Sequence, residues 1–191
     1  MKPIDLAGFE QKFAANADPW STFTNRDEVH KRGAILHGLG AGPTGRVLEL
    51  AAGNGSNSVA LARRALRFDA TEGTQSGVDL VRRAVGDAPH VRVRRLVLPG
   101  RFPAAVYDAA VVAEVLYYLS PRAMRHVARD IAVALRRGGR LILAHHRVDY
   151  PDFVQHAAQI HARFLADTGV EWRAAGDVRT GRWRVQSYVR C

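Results

Sequence analysis

Apolar and polar positions change rhythm at about residue 40. Before it, Leu6–Ala15 and Asn25–Leu36 carry apolar residues at helical spacing, separated by the kink Asp18-Pro19-Trp20. Gly38, Gly40, Gly42 and Pro43 then break the chain. From Arg46 onward, short apolar runs alternate with amphipathic segments. The runs are Arg46–Leu50, Arg67–Thr71, Val91–Leu96, Tyr107–Ala113 and Arg140–Ala144; the helical segments are Ser56–Leu66, Gln75–Val85, Pro121–Arg136 and Asp152–Asp167. Such alternation predicts a parallel sheet with crossover helices. Ala109-Ala110-Val111-Val112 is apolar without alternation, as expected of a strand covered on both faces. Ser120-Pro121 reads as an N-cap with proline at the first helical position, and Gly138-Gly139 as the stop of the same helix.

The last stretch has a different period. Val170–Arg173 and Trp183–Val189 alternate apolar and polar residues across a glycine-containing connector, Ala174–Arg182. This predicts an antiparallel hairpin at the sheet edge. The expected fold is α/β and Rossmann-like: a mostly parallel seven-stranded sheet closed by an antiparallel hairpin, with helices on both faces. We expect one domain over 1–191, with 1–40 as a helical lid or arm and 46–190 as the core.

Composition narrows the function classes. No run of eighteen apolar residues is present, so no membrane span is expected, and the first residues lack the apolar stretch of a secretory signal. The lone cysteine, Cys191, allows no intramolecular disulfide and no cysteine-based metal site. A cytoplasmic location follows as the expectation. The net charge of +10 comes almost wholly from scattered arginines, with lysine only at Lys2, Lys12 and Lys31. Arg122, Arg125, Arg129, Arg136 and Arg137 read as a solvated helix face, and nucleic acid is an unlikely partner. His126, His156 and His161 show no metal-binding spacing, and no metal is expected.

Chemistry concentrates in two segments. In the first, Val47-Leu48-Glu49-Leu50-Ala51-Ala52-Gly53-Asn54-Gly55-Ser56-Asn57, an apolar strand ends in an acid and a glycine turn that leads into a helix. Glycines there let backbone amides approach a ligand. A second acid, Glu72, follows about twenty residues later, in Glu72-Gly73-Thr74, where a carboxylate can accept both hydroxyls of a ribose. Asp69 competes for that role but would sit inside the strand. The order of acids and glycines favours S-adenosylmethionine (SAM) over a dinucleotide, and a dehydrogenase would need a substrate domain this length cannot supply. No acid follows the third strand, so adenine would rest on backbone and apolar contacts from Leu96 or Leu98. In the second segment, Glu114-Val115-Leu116-Tyr117-Tyr118-Leu119 follows the fourth strand, and His145-His146-Arg147 follows the fifth.

The first segment resembles motif I of the class I SAM-dependent methyltransferases, Glu/Asp-x-Gly-x-Gly-x-Gly, with Ala51 in place of the first glycine. With Asp18-Pro19-Trp20, the Glu114–Leu119 segment and His145-His146-Arg147, the chain from Phe9 to Arg190 resembles the nodulation protein S-type N-methyltransferases. Where that family has His-Trp-Arg, this chain has His-His-Arg. The resemblance implies a methyl acceptor that is an amine, of the amino-sugar or oligosaccharide kind. It also implies a cofactor site at Trp20, Glu49, Ala51, Gly53, Gly55, Glu72, Gly73, Thr74 and Leu96. Glu49 would orient the loop or reach the methionine amine of SAM. The Asn-Pro-Pro-Tyr signature of enzymes that methylate amides or adenine amino groups is absent.

Transfer of a methyl group to an alkyl ammonium requires loss of a proton first. His145, Tyr118 and Glu114 are the candidate catalytic residues, one of His145 and His146 facing inward by strand alternation. Tyr117, Tyr118 and Trp20 could line the sulfonium by cation–π attraction. The expectation is a small-molecule methyltransferase, monomer or homodimer. A non-catalytic SAM- or nucleotide-binding domain and an RNA methyltransferase are the alternatives.

Overall fold

A computed structural model describes residues 3–191; Met1 and Lys2, the start of the predicted arm, lie outside it. Two helices, α1 (Leu6–Ala15) and α2 (Arg26–Gly38), precede β1 (Thr44–Leu50), α3 (Ser58–Ala62), β2 (Ala65–Glu72), α4 (Gln75–Val85), β3 (Val91–Arg95) and β4 (Tyr107–Ala113). A one-turn 3₁₀ helix, Leu116–Tyr118, leads to α5 (Pro121–Ala134), β5 (Leu135–His146), α6 (Ile160–Thr168), β6 (Trp172–Arg179) and β7 (Trp183–Arg190). The sheet order is β3-β2-β1-β4-β5-β7-β6. The first five strands pair in parallel, while β7 runs antiparallel to both β5 and β6. Strand order reverses between β1 and β4, so a crevice opens beyond their carboxyl ends.

Strand alternation sorts the core into two layers. Leu48, Leu50, Ala110 and Val112 face Met124, Val127 and Ile131 of α5 and Phe164 of α6. Val47, Phe68, Ala70, Val111 and Ile142 face Ile35 of α2, Leu61 of α3 and Val81 of α4. Each of the larger apolar side chains among them contributes about 1.5–3 kcal/mol by burial. Glu49 shares its face with Val47, and this turns its carboxylate toward α3.

Several boundaries differ from the sequence expectation, each for a tertiary reason. Helix α5 stops at Ala134 rather than at the glycine pair, because Leu135 already pairs with Tyr107 of β4. The next partner of β4 is Ala109 with Arg140, so Arg136–Gly139 loop out of register, with Gly138 at φ +75°. Residues 152–159 are not helical. The amides of Val154 and Gln155 donate to the Tyr117 carbonyl at 2.8 and 3.0 Å, and Ile4 N donates to Asp152 O at 3.1 Å, so the segment is held as a loop between Tyr117 and the start of the arm. Strand β6 absorbs most of the expected connector, leaving a turn at Thr180–Arg182. The helix after the glycine turn is only Ser58–Ala62, since Ala65 already pairs with Thr44. The five arginines expected on a solvated helix face are all exposed, but only Arg122, Arg125 and Arg129 lie on α5, Arg136 and Arg137 standing at the start of β5. No described helix is long and apolar enough to cross a membrane.

Candidate active site

Strand β1 delivers Glu49 to the crevice, and the chain then turns through Ala51 (φ +52°), Gly53 (φ +61°) and Gly55 (φ +85°). The left-handed backbone at Ala51 is what glycine adopts without strain; with a Cβ it costs about 1–2 kcal/mol. Replacement of the motif's first glycine therefore bears on the backbone more than on the width of the loop. Gly55 has a packing reason of its own: a Cβ there would stand 3.0 Å from both Val81 Cα and Ala84 Cβ of α4. Above Gly53 a Cβ would meet only the Phe13 ring, at 3.6 Å.

Two buried acids face this turn. Glu49 accepts from Ser58 Oγ at 2.5 Å, and burial, with Glu72 nearby, pushes its carboxyl up to about 8. Glu72 accepts from Gly53 N at 3.0 Å through Oε2, and from Thr74 N and Thr74 Oγ1, both at 2.9 Å, through Oε1. Burial raises its carboxyl as well. Asp69 is inside β2, 3.5 Å from the Arg46 guanidinium, and takes no part. Leu96 donates its amide to Glu72 O at 2.8 Å, and Gly73 lies beneath Leu6. Expected site residues from β1, β2 and β3 thus converge on one crevice.

The arm closes it. Glu10 accepts from Gln75 N and Ser76 N at 2.7 and 2.9 Å, satisfying orphan amides at the start of α4. Asp18 Oδ1 accepts from Thr22 N at 2.7 Å and from Asn54 Nδ2 at 2.8 Å, tying the Asp-Pro-Trp kink to the glycine turn. Trp20, 41% exposed, stands edge-on to Phe13 at 5.6 Å and near Phe9 at 6.2 Å. Glu10, Thr22 and Asn54 escaped the sequence reading. Only Asn54, a polar residue between two glycines, carried a local signal.

On the far side of the crevice, Glu114 adopts φ +53° and gathers four donors. Lys31 Nζ lies 2.5 Å from Oε1. His146 N, His146 Nδ1 (3.3 and 2.8 Å) and the Tyr117 hydroxyl donate to Oε2. The Lys31 ammonium and His146 outweigh the burial that opposes them and hold the Glu114 carboxyl down at about 2. Glu114, expected among the catalytic residues, thus has both oxygens engaged by the protein and faces neighbouring side chains.

The expectation that His145 is catalytic is corrected. It is 1% exposed, and its Nε2 accepts from Val115 N and Leu116 N at 3.3 and 3.2 Å. An Nε2 that accepts leaves the proton on Nδ1, which lies 3.0 Å from His161 Nε2; His161 Nδ1 in turn lies 3.0 Å from Gln186 Oε1. This neutral relay holds the loop that carries Glu114, and it has no nitrogen free for a substrate. His146 is the histidine that reaches the crevice: its side chain is 23% exposed and its Nε2 has no partner among the described residues. Tyr118 packs edge-on to Phe9 at 4.9 Å and to Phe153 at 5.2 Å, lining the mouth. No cluster of potential metal ligands occurs among the described residues.

The histidine relay has a measurable cost. Burial, aided by the neighbouring His161, lowers His145 well below 6.5, and burial lowers His161 to about 4. Between about pH 6.5 and 4 the unfolded chain binds protons that the folded relay refuses, so this contribution to stability falls as pH falls. For His161 the loss is on the order of 3 kcal/mol. Glu49 acts oppositely, because a raised carboxyl loses stability as pH rises toward 8. The difference between wild type and His161→Gln isolates the relay, since glutamine can both accept from His145 and donate to Gln186. We expect the variant to lose less denaturant stability than wild type between pH 7 and 4.5; equal losses would refute the relay.

Residues 47–139 match the family model described as methyltransferase domain. No curated protein sequence matches the chain. Among solved structures, the N-methyltransferase NodS from Bradyrhizobium japonicum WM9, in complex with S-adenosyl-L-homocysteine, superposes with a TM-score of 0.84 over 97% of each chain at 20% identity. The geranyl diphosphate C-methyltransferase from Streptomyces coelicolor A3(2), in complex with Mg2+, geranyl diphosphate and S-adenosyl-L-homocysteine, gives 0.68 over 90% of this chain and 87% of its own, at 16% identity. Residues 47–139 thus match a methyltransferase domain, and the chain has the fold of SAM-dependent methyltransferases.

Proposed function

We propose that the protein transfers a methyl group from SAM to the amine nitrogen of a small molecule, with His146 as the base. The observation that carries this reading is the Glu114–His146 pair: with Nδ1–H donated to Glu114 at 2.8 Å, the free nitrogen at the crevice is the lone-pair-bearing Nε2. Two buried carboxyl groups face the glycine turn, and SAM offers an ammonium and a ribose diol: Glu49, whose raised carboxyl would ionise beside that ammonium, and Glu72 would hold them. When bound, SAM supplies a methyl carbon on a positively charged sulfur.

The protein's own part is positioning and proton removal. Phe13, Trp20 and the arm cover the glycine turn and keep water out. Tyr118, Phe9 and Phe153 line the approach. Asp152 and Glu114 stand close enough to Tyr118 that, with burial, they raise its phenol. A mouth lined by the aromatic faces of Tyr118, Phe9 and Phe153, with Asp152 beside it, suits a cationic acceptor better than an anionic one. His146 Nε2 takes the ammonium proton, and the freed nitrogen lone pair then attacks. We place the activity in the cytoplasm, in keeping with a lone, unpaired cysteine.

The test is incorporation of labelled methyl from SAM into a panel of primary amines, amino sugars among them, each matched to its hydroxyl analogue. We expect labelled product with amines and none with the analogues. Labelling of hydroxyl analogues at equal rates would overturn the amine assignment.

A further inference from the structure

Lys31 is a buried cation that neither the cofactor nor the acceptor requires. It is 1% exposed on α2, bridging Glu28 at 2.8 Å and Glu114 at 2.5 Å. A buried ion pair is seldom a source of net stability, since desolvating both charges cancels most of their attraction. Glu28, three residues away on the same helix, could be paired by a lysine lying along the helix surface. Lys31 instead reaches inward to the residue that orients His146.

The consequence for His146 follows from charge. A lone carboxylate 2.8 Å from an imidazole favours the imidazolium, and an imidazolium has no lone pair with which to take a proton. An ammonium on the other carboxylate oxygen, itself shared with Glu28, weakens that pull, while Oε2 still accepts the Nδ1 proton and fixes the tautomer. We propose that Lys31 is a positioning residue that holds Glu114 in place and offsets part of its charge, so that Glu114 orients His146 with Nε2 left as the acceptor. This rests on the reading of His146 as the base. The other groups facing His146 are Tyr117, through Glu114, and Tyr150, whose ring stands edge-on at 5.6 Å. On its own strand stands His145, engaged in the relay. From β7, Trp183 is its register partner, and the adjacent Arg182 is paired with Asp27 at 3.6 Å. None of these places a second cation against Glu114.

The experiment follows the His146 imidazole by NMR titration in ligand-free protein, for wild type, Lys31→Met, Lys31→Arg and Glu28→Gln. Losing the ammonium should raise the His146 midpoint by about one pH unit. Losing Glu28 should lower it, because less of the lysine charge is then cancelled. Arginine, which keeps the charge, should restore the wild-type value to within a few tenths. The acid limb of the kcat/KM profile should move with the midpoint in each variant. An unmoved midpoint in folded Lys31→Met overturns the proposal. If that variant does not fold, the sign of the Glu28→Gln shift decides it: down supports, unchanged or up refutes. His146→Gln separates the two levels. If it turns over normally, the reading of the base fails. If it is inactive while the midpoints stay fixed, only the role of Lys31 fails.

Discussion

Glu72→Ala is expected to weaken SAM binding at least a hundredfold in titration calorimetry, the loss of two charge-assisted hydrogen bonds at roughly 1.5–3 kcal/mol each. The carboxylate is placed to act twice. It accepts from Gly53 and Thr74, fixing the glycine turn against the start of α4, and its remaining lone pairs are the ones proposed to accept from the ribose. Truncation therefore also strands the amides of Gly53 and Thr74 in a buried site, costing about 1–3 kcal/mol of stability. The two effects separate experimentally, since an unfolding curve reports only the second. A mutant that melts early but binds SAM within threefold of wild type would show that Glu72 braces the turn and does not touch the cofactor. Glutamine is a poor rescue, because its amide nitrogen cannot accept from Gly53 or from Thr74.

The split between what could and could not be read from the chain follows the range of the interactions. The core strands and the carboxyl-end crevice came through period alone, because β1 and β4 are buried on both faces; β6, exposed along most of its length, was read mostly as connector. The acids Glu49 and Glu72 were legible from their spacing around the glycines. Residues 152–159 were not: their composition suits a helix, but bonds to Tyr117 and Ile4 hold them in a loop. The choice between His145 and His146 also failed locally. Alternation says that the two point opposite ways, but which direction is the crevice depends on Glu114, which turns with φ +53° after β4. Lys31, paired across 83 positions, has no local signature. His161 reads as one more helical histidine until α6 is seen packed beside β5.

His146→Gln should lower kcat at saturating SAM by roughly 10²–10⁴, the usual contribution of a positioned base, while SAM affinity stays unchanged. Loss of rate alone would fit a mere packing defect, so the pH dependence carries the argument. Wild type needs His146 neutral, and its rate should fall on the acid side as the imidazole protonates. The variant has no base, and must wait for the acceptor to lose its proton to water. An alkyl ammonium does so only near its own pKa, about 10 for a lysine-like amine. Activity of the variant should then climb about tenfold per pH unit between 7 and 9, with the deficit closing as pH approaches 10. A deficit as large at pH 10 as at pH 7 would mean that the ring places the acceptor, and that the proton leaves by another route. Glu114→Gln makes the complementary case. It keeps a hydrogen-bond acceptor for Nδ1–H and leaves Lys31 paired with Glu28 alone, so the charge beside the base changes while its orientation is retained.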